Sequence, residues 1–384
     1  MKKILIFVMF AVFFALAPFS VSAEPCNDSQ VKEFVDSVAT VVDTWTNPVI
    51  SRGDYIYGEG DKQIGYLYRI FEKNQQKGYV FYLDSIGIAA AAWEGEDSAK
   101  DVKGRVYFIA PNIFVSRSEF IEYQKNLETN QTIASDVIGS TVYHVTNGST
   151  GEATVISDFT LDTSRIPNLS SNTYLISTNY AVRKTITNTP DYNWFLGCAP
   201  TAGGMFVGYF DNEVWESLSP YDGVDDYPLS YIWVNRWLWP DYAKNYDEVD
   251  DLIEELASST YFNTNLTTGG TSIAQMNVGL EDYFSDHGLS TYKVYLGAFN
   301  TTYGLVSNIS NYQTLISQGN PVIISMLSHP TYGDHGVLGM GYLYAAPSSV
   351  GAIIHDTWSS EEGYPVEVFV SYSLLYGYSF IYND

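Results

Sequence analysis

The chain has 384 residues, of which 46% are hydrophobic and 16% aromatic, a composition typical of a folded globular protein and not of a disordered one. Its formal net charge of −25 argues against a nucleic-acid partner and against adhesion to anionic lipid, because both depend on clustered lysine and arginine. The length is sufficient for two or three domains.

The first 23 residues are predicted to be a secretory signal peptide. Lys2 and Lys3 form a positive start, and an apolar run from Ile4 to about Leu16 follows. Val21-Ser22-Ala23 resembles a small-residue cleavage site. A membrane anchor is the alternative, but the apolar run is short and Pro18 interrupts it. We therefore expect a secreted chain, extracellular or periplasmic, with no stable membrane insertion after cleavage.

The segment 24–130 is predicted to be a small α+β domain. Residues 24 to about 45 carry apolar side chains at helical spacing, which predicts a helix. The following residues alternate aromatic and β-branched side chains between turn signals, which predicts a meander of short antiparallel strands. "NQQKG" is the expected hairpin loop within it. The segment 131–185 is rich in Thr, Ser and Asn and is predicted to be a connecting region of weak strands and loops, or the end of the first domain.

The segment 186–384 begins with helices and ends with an antiparallel sheet, the order expected of an α+β domain. "CAPTAGGMFVGYFDNEV" predicts a helix that starts near Cys198, with Pro200 in its first turn. Gly203 and Gly204 weaken isolated helicity but permit close packing in a core. Further helices are predicted in "YDEVDDLIEELASST", "TSIAQMNVGLEDYFSDHG" and "NYQTLISQGN", and strands in "PVIISML", "HGVLGMGYLY" and "GAIIHDTW".

Cys198 is a candidate nucleophile because it stands at the predicted start of a helix. The reactive form of cysteine is the thiolate, which a helix N-terminus stabilises through its dipole and N–H groups. Two structural roles compete with this one. Cys198 could be a small residue of the core. It could also form a disulfide with Cys26, since the exported chain has only these two cysteines.

A cysteine nucleophile needs an imidazole base and a group that orients it. His335 stands at the entry of one predicted strand, and Asp356 at the exit of the next. If the two strands form a hairpin, both residues lie at the same edge of the sheet. His355 alternates with Asp356 and should point to the opposite face. The remaining histidines fit helix-end, loop or linker positions and are His144, His287 and His329.

Asn193, just upstream of Cys198, is a candidate oxyanion-hole donor together with the backbone N–H of Cys198; a turn residue is the alternative role. No histidine pair has the spacing of a metal site, and the acidic run "YDGVDDY" lacks the full pattern of a Ca²⁺ loop. The sequence predicts neither a metal nor a cofactor.

"GCAPTAGGMFVGYFD", "DHGVLGMGY" and "IIHDTW", in this order, resemble the papain-like cysteine peptidases, and in particular the branch related to bacteriocin leader peptidases, cysteine peptidase family thirty-nine-like. The resemblance covers roughly residues 186–384. It implies a papain-like fold with Cys198 as nucleophile, His335 as base and Asp356 as orienting group. It departs from the family at the oxyanion glutamine, which usually stands six residues before the cysteine, where this chain has Tyr192.

The expected function is a secreted cysteine peptidase that hydrolyses peptide bonds through an acyl-enzyme thioester, with a peptide or protein as substrate. One alternative keeps the triad and hydrolyses a cell-wall amide. Another is a catalytically inactive surface or binding protein on the same scaffold. The segment 24–130, between signal peptide and peptidase-like domain, is then a pro-segment, an inhibitory domain or a binding domain. The sequence leaves the oligomeric state open.

Overall fold

The computed structural model describes residues 28–384 except 86, 94–96, 98, 100–101, 111–112, 122–140, 158, 193, 217, 222–239, 268, 300–308, 330–332, 346–348 and 358–366. Its α-helices are α1 (Asp28–Val38), α2 (Cys198–Glu213), α3 (Pro240–Ala257), α4 (Ile273–Asp286) and α5 (Ile309–Ser317). Its strands in the N-terminal half are β1 (Val49–Tyr57), β2 (Gln63–Glu72), β3 (Gln75–Leu83), β4 (Gly87–Ala92), β5 (Val106–Ala110), β6 (Ile113–Val115), β7 (Thr141–Asn147), β8 (Glu152–Ser157), β9 (Thr173–Ser177) and β10 (Ala181–Ile186). Those in the C-terminal half are β11 (Tyr292–Ala298), β12 (Val322–His329), β13 (Gly333–Ala345), β14 (Ser349–His355), β15 (Glu367–Ser371) and β16 (Gly377–Asn383).

The described strands form one 16-stranded sheet. Its order is β6-β5-β1-β2-β3-β4-β15-β14-β13-β12-β16-β11-β7-β8, and β10 pairs with β13 and with β9 beside this path. The pairing of β1 with β5 is parallel, whereas the β12–β13 and β13–β14 pairings that flank the candidate site are antiparallel. The α+β class expected from the sequence is therefore confirmed.

The N-terminal strands continue the sheet of the C-terminal half. Ala90, Ala91 and Ala92 of β4 pair with Val370, Phe369 and Val368 of β15. Strands from the segment predicted to connect the domains join the same sheet, since β10 pairs with β13 and β7 with β11. The structure does not confirm a separate N-terminal domain, and the domain limits at residues 23, 130 and 185 stay a prediction.

The predicted N-terminal helix and hairpin are present with different limits. Helix α1 ends at Val38, because Thr40 and Val41 donate their backbone N–H groups three residues back and tighten the chain. The loop between β2 and β3 consists of Lys73 and Asn74, with φ of 50° and 66°. Two residues at positive φ are typical of the type I′ turn, which matches the twist of the hairpin and pulls Gln75–Lys77 into β3.

The two faces of the sheet carry different helices. Ile354 of β14 packs in the core cluster that contains Met205 and Phe206 of α2, whereas its neighbour Ile353 packs in the cluster that contains Phe34 of α1. Successive side chains of a strand point to opposite faces. Helix α2 therefore covers one face of the central strands and α1 covers the other.

Helix α2 is buried from Ala199 to Asp211, so it is the central helix of the fold. Its glycines permit this position, as the sequence predicts. A Cβ on Gly203 would lie 2.8 Å from the ring of Phe262, and one on Gly204 would lie 2.9 Å from Ile253 of α3. No described helix combines the length and apolar character needed to span a membrane.

Candidate active site

Cys198 is the first residue of α2, and a strained turn places it there. Leu196 has φ of 55° and Gly197 has φ of 138°, both in the region that L-residues avoid. A Cβ on Gly197 would also lie 2.4 Å from the carbonyl oxygen of Gly269. Only glycine fits this position, for reasons of both backbone conformation and space.

Thr201 holds this turn against the helix. Its Oγ1 accepts the backbone N–H of Phe195 at 3.0 Å and lies 2.8 Å from the carbonyl oxygen of Gly197, to which it donates. No role for Thr201 is predicted from the sequence alone. The signal was a small hydroxyl residue one helical turn after a glycine, where it reaches the carbonyl four residues earlier.

Cys198 is partly exposed, whereas Ala199 and Pro200 beside it are buried. The first turn of an α-helix directs its backbone N–H groups outward without intrahelical acceptors. Pro200 lacks an N–H group, so its position in this turn costs no hydrogen bond. Cys198 thus combines access to solvent with the positive end of a buried helix.

The neighbour of His335 on β13 packs against the start of α2. A Cβ on Gly336 would lie 3.4 Å from the Cα atom of Ala199. Since Ala199 follows Cys198 and Gly336 follows His335, the two predicted catalytic residues lie on chain segments in direct contact. A Cβ at position 336 would thus touch the start of the helix at an ordinary van der Waals distance.

His335 is 6% exposed, and its Nε2 lies 3.4 Å from the backbone oxygen of Asp356. A carbonyl oxygen only accepts, so Nε2 carries the ring proton in this contact and the lone pair of the neutral ring is on Nδ1. Burial lowers the pKa of His335 to about 4, and the hydrogen bond to Asp356 opposes this effect. His335 is therefore a neutral imidazole near pH 7.

Asp356 is buried and follows the last residue of β14. The hairpin of β13 and β14 pairs Leu338 with His355, which brings the entry of β13 to the exit of β14 as expected. The next residue, Thr357, has φ of 66°, an uncommon conformation for a β-branched side chain. Backbone strain at Leu196 and at Thr357 thus marks both segments of the site, and such strain is concentrated at functional sites in proteins.

Two other predictions for the site concern residues outside those described. Asn193, the oxyanion-hole candidate, is one, and Cys26, the candidate disulfide partner of Cys198, is the other; most of "YDGVDDY" is also outside them. Tyr192, where the family usually has glutamine, is buried, and its ring lies 3.6 Å from the Cβ position of Gly204.

Two of the other histidines have structural partners. Nε2 of His144 lies 2.6 Å from Glu281, and Nδ1 of His287 lies 2.8 Å from the carbonyl oxygen of Tyr283 at the end of α4. The side chain of His329 is not among those described. The described residues contain no group of three or more His, Cys, Asp or Glu side chains arranged to hold a metal ion.

A family model for the Peptidase_C39 like family matches residues 178–377, more than half of the chain. The chain belongs to this family. The resemblance found in the sequence is thereby confirmed, and membership indicates a cysteine peptidase. The match includes α2, β13 and β14, and thus Cys198, His335 and Asp356. No curated protein matches the chain.

The residues matched by the Peptidase_C39 like family include little of the N-terminal half of the chain. The match begins in the turn before β10 and ends at the first residue of β16. The strands β1–β9 and helix α1 lie outside it, although β4 and β15 pair directly. The N-terminal half is therefore an addition to the family's matched segment that shares its sheet.

Proposed function

We propose that the chain is a secreted cysteine peptidase that hydrolyses peptide bonds through Cys198, His335 and Asp356. The observation that supports the proposal is the contact of β13 with the first turn of α2, in which the residue after His335 packs against the residue after Cys198. Secretion rests on residues 1–23 of the sequence alone. A peptide or protein is the proposed substrate, consistent with the family.

In the proposed first step, Nδ1 of His335 takes the proton of the Cys198 thiol. The resulting thiolate attacks the carbonyl carbon of the scissile peptide bond and forms a tetrahedral oxyanion. The backbone N–H groups at the start of α2, with the side-chain amide of Asn193, are the proposed donors to this oxyanion. The lowered pKa of His335 favours a neutral thiol–imidazole pair as the resting state.

In the second half of the reaction, the C–N bond breaks and the imidazolium of His335 gives its proton to the leaving amine. The acyl group stays on sulfur as a thioester. Water then attacks the thioester while Nδ1 accepts one of its protons, the C–S bond breaks, the imidazolium returns a proton to the sulfur, and a carboxylic acid is released. Because Nε2 is in contact with the backbone oxygen of Asp356 at 3.4 Å, Nδ1 is the nitrogen that exchanges protons in this proposal, and the buried Asp356 holds the ring at this edge of the sheet.

Alkylation by iodoacetamide at neutral pH tests the nucleophile directly. We expect Cys198 in the wild type to react faster than free cysteine, and His335→Ala to slow this reaction strongly. Cys198→Ala is the control for labelling at Cys26, and non-reducing peptide mapping reports any bond between the two cysteines. If the wild type labels no faster than free cysteine, the peptidase proposal fails and an inactive binding protein on this scaffold is favoured.

Cleavage of a quenched fluorescent peptide library tests the reaction itself. Hydrolysis by the wild type that is lost in Cys198→Ala is the expected result. Hydrolysis of cell-wall muropeptides in place of the library would instead support the thiol amidase alternative. The same assay on a chain that begins at residue 178 asks whether the N-terminal half is removable, which its pairing through β4 and β15 argues against.

A further inference from the structure

A cavity of about 400 Å³ lies where the N-terminal half meets the sheet of the peptidase-like half. Its wall includes Trp93 after β4, Arg183 of β10, His355 of β14 and Glu367 of β15. His355 has the same orientation along β14 as Ile353, which faces α1, so this wall belongs to the face opposite α2. The cavity is therefore separate from the candidate active site. Its volume is within the range of small-molecule sites.

The two poorly exposed charged groups of the wall, Arg183 and Glu367, neutralise each other. Nη2 of Arg183 donates to Oε2 of Glu367, and Nε1 of Trp93 donates to the same oxygen at 3.0 Å. The two charged side chains are only 14% and 18% exposed. A charged ligand would have to compete with this pair and leave one of its partners uncompensated in a poorly solvated site, which is costly. The pair therefore favours a neutral ligand.

The remaining polar groups of the wall offer both donors and acceptors. Nδ1 of His355 lies 2.9 Å from the carbonyl oxygen of Pro190, so Nδ1 donates in this contact, and an uncharged ring with this tautomer has its acceptor at Nε2. Thr185 and Thr189 add hydroxyl groups, and the exposed Asp43 adds a carboxylate at the edge. A ligand with many hydroxyl groups, each both donor and acceptor, satisfies such a mixed wall.

Aromatic surface completes the site. Tyr174 of β9 lines the cavity and is 54% exposed, so its ring is available to a ligand at the opening. Trp93 forms a deeper wall, with the guanidinium of Arg183 5.7 Å from its ring centre. An aromatic ring with a polar tip suits a ligand that has an apolar face and hydroxyl groups at its rim. We propose that this cavity binds a neutral saccharide of one or two sugar rings.

Isothermal titration of the Cys198→Ala variant with neutral disaccharides tests the proposal without relying on peptidase activity. The probes are cellobiose, maltose and diacetylchitobiose, and lysine and glutamate serve as charged probes. We expect one disaccharide to bind with one site per chain at millimolar or lower concentration, and neither charged probe to bind. A parallel sedimentation assay with insoluble cellulose and chitin distinguishes a free sugar from a polymer as the source of the ligand.

Substitutions at two positions in the hairpin of β9 and β10 locate the site. Tyr174→Ala should weaken binding about tenfold, the equivalent of ~1.4 kcal/mol, whereas Tyr174→Phe should retain it because the ring face is kept. Tyr180→Ala is the matched control, since Tyr180 is 68% exposed in the turn of the same hairpin and does not line the cavity. The proposal is overturned if no disaccharide binds, if a charged probe binds in its place, or if Tyr174→Ala and Tyr180→Ala bind equally well.

Discussion

Acidification should destabilise the folded protein through His335. Burial holds the pKa of this imidazole at about 4, whereas in the unfolded chain it returns to its ordinary value of 6.5. Between these two values the unfolded chain binds a proton that the folded protein does not, so the free energy of unfolding falls as the pH falls through this window. The stability conferred by the neutral imidazole is fully present above pH 6.5 and fully lost below pH 4.

The size of the effect follows from the same two values. Each pH unit between them is worth about 1.36 kcal/mol, so the complete loss is about 3 kcal/mol. At about pH 4.5 most of this loss has already occurred. This is a substantial part of the stability of an ordinary domain, which is roughly 5–15 kcal/mol.

Guanidinium unfolding at about pH 8 and about pH 4.5, at constant ionic strength, measures the effect. The 44 acidic residues also titrate in this range, so the comparison needs a variant that shares them. His335→Gln has no titrating group at this position, and its side-chain amide can still donate to the carbonyl of Asp356. The wild type should lose roughly 2–3 kcal/mol more than His335→Gln on acidification.

An equal or smaller loss in the wild type would refute this reasoning. It would mean that His335 is charged in the folded protein, as in a thiolate–imidazolium pair with Cys198. The proposed resting state would then be wrong, although the peptidase activity would not be excluded. Repeating the comparison in a Cys198→Ala background separates the two cases, because an imidazolium held by the thiolate loses its partner there.

Three further predictions concern the turn before α2. Thr201→Val should lower the free energy of unfolding by about 1–3 kcal/mol, because it leaves the N–H group of Phe195 without its acceptor. Chemical denaturation measures this change, and Thr201→Ser should restore most of the loss; a serine variant as unstable as the valine variant would contradict the hydrogen-bond explanation. Gly197→Ala should nearly abolish peptide hydrolysis, whereas Gly151→Ala, also at positive φ but with open space around its Cβ position, should leave kcat/KM unchanged. Equal activity of the two variants would show that the turn does not position the nucleophile. Trp194, which is 50% exposed, should tolerate Ala within about 0.5 kcal/mol of stability but lose kcat/KM for peptides with large apolar side chains near the cleaved bond. A uniform loss over all peptides would argue against a contact with the substrate side chain.

The sequence by itself determined the local elements that carry the candidate site. The helix beginning at Cys198 was predictable from its small and apolar residues and from Pro200 in the first turn. The juxtaposition of His335 with Asp356 was predictable because consecutive antiparallel strands place the entry of one beside the exit of the other. The helix depends on the residues of one segment, and the hairpin depends on two strands that are consecutive in sequence.

Only the tertiary structure decided how distant segments meet. The pairing of β4 with β15 joins alanines to valines and a phenylalanine across most of the chain, and nothing in the local alternation of either strand specifies its partner. The same limit explains why a separate N-terminal domain was expected and one continuous sheet was found.

The chemical state of the site also depends on tertiary structure. The packing of β13 against α2 buries the segment of His335, and burial lowers the pKa of this residue. The contact of its Nε2 with the backbone oxygen of Asp356 comes from the pairing of β13 with β14. Gly197 likewise shows its importance only where Gly269, far along the chain, approaches it. The sequence was sufficient to identify Cys198, His335 and Asp356 as candidates. The desolvation of His335 and the close contacts of Gly197 arise only in the folded chain, because both depend on neighbours that are remote in sequence.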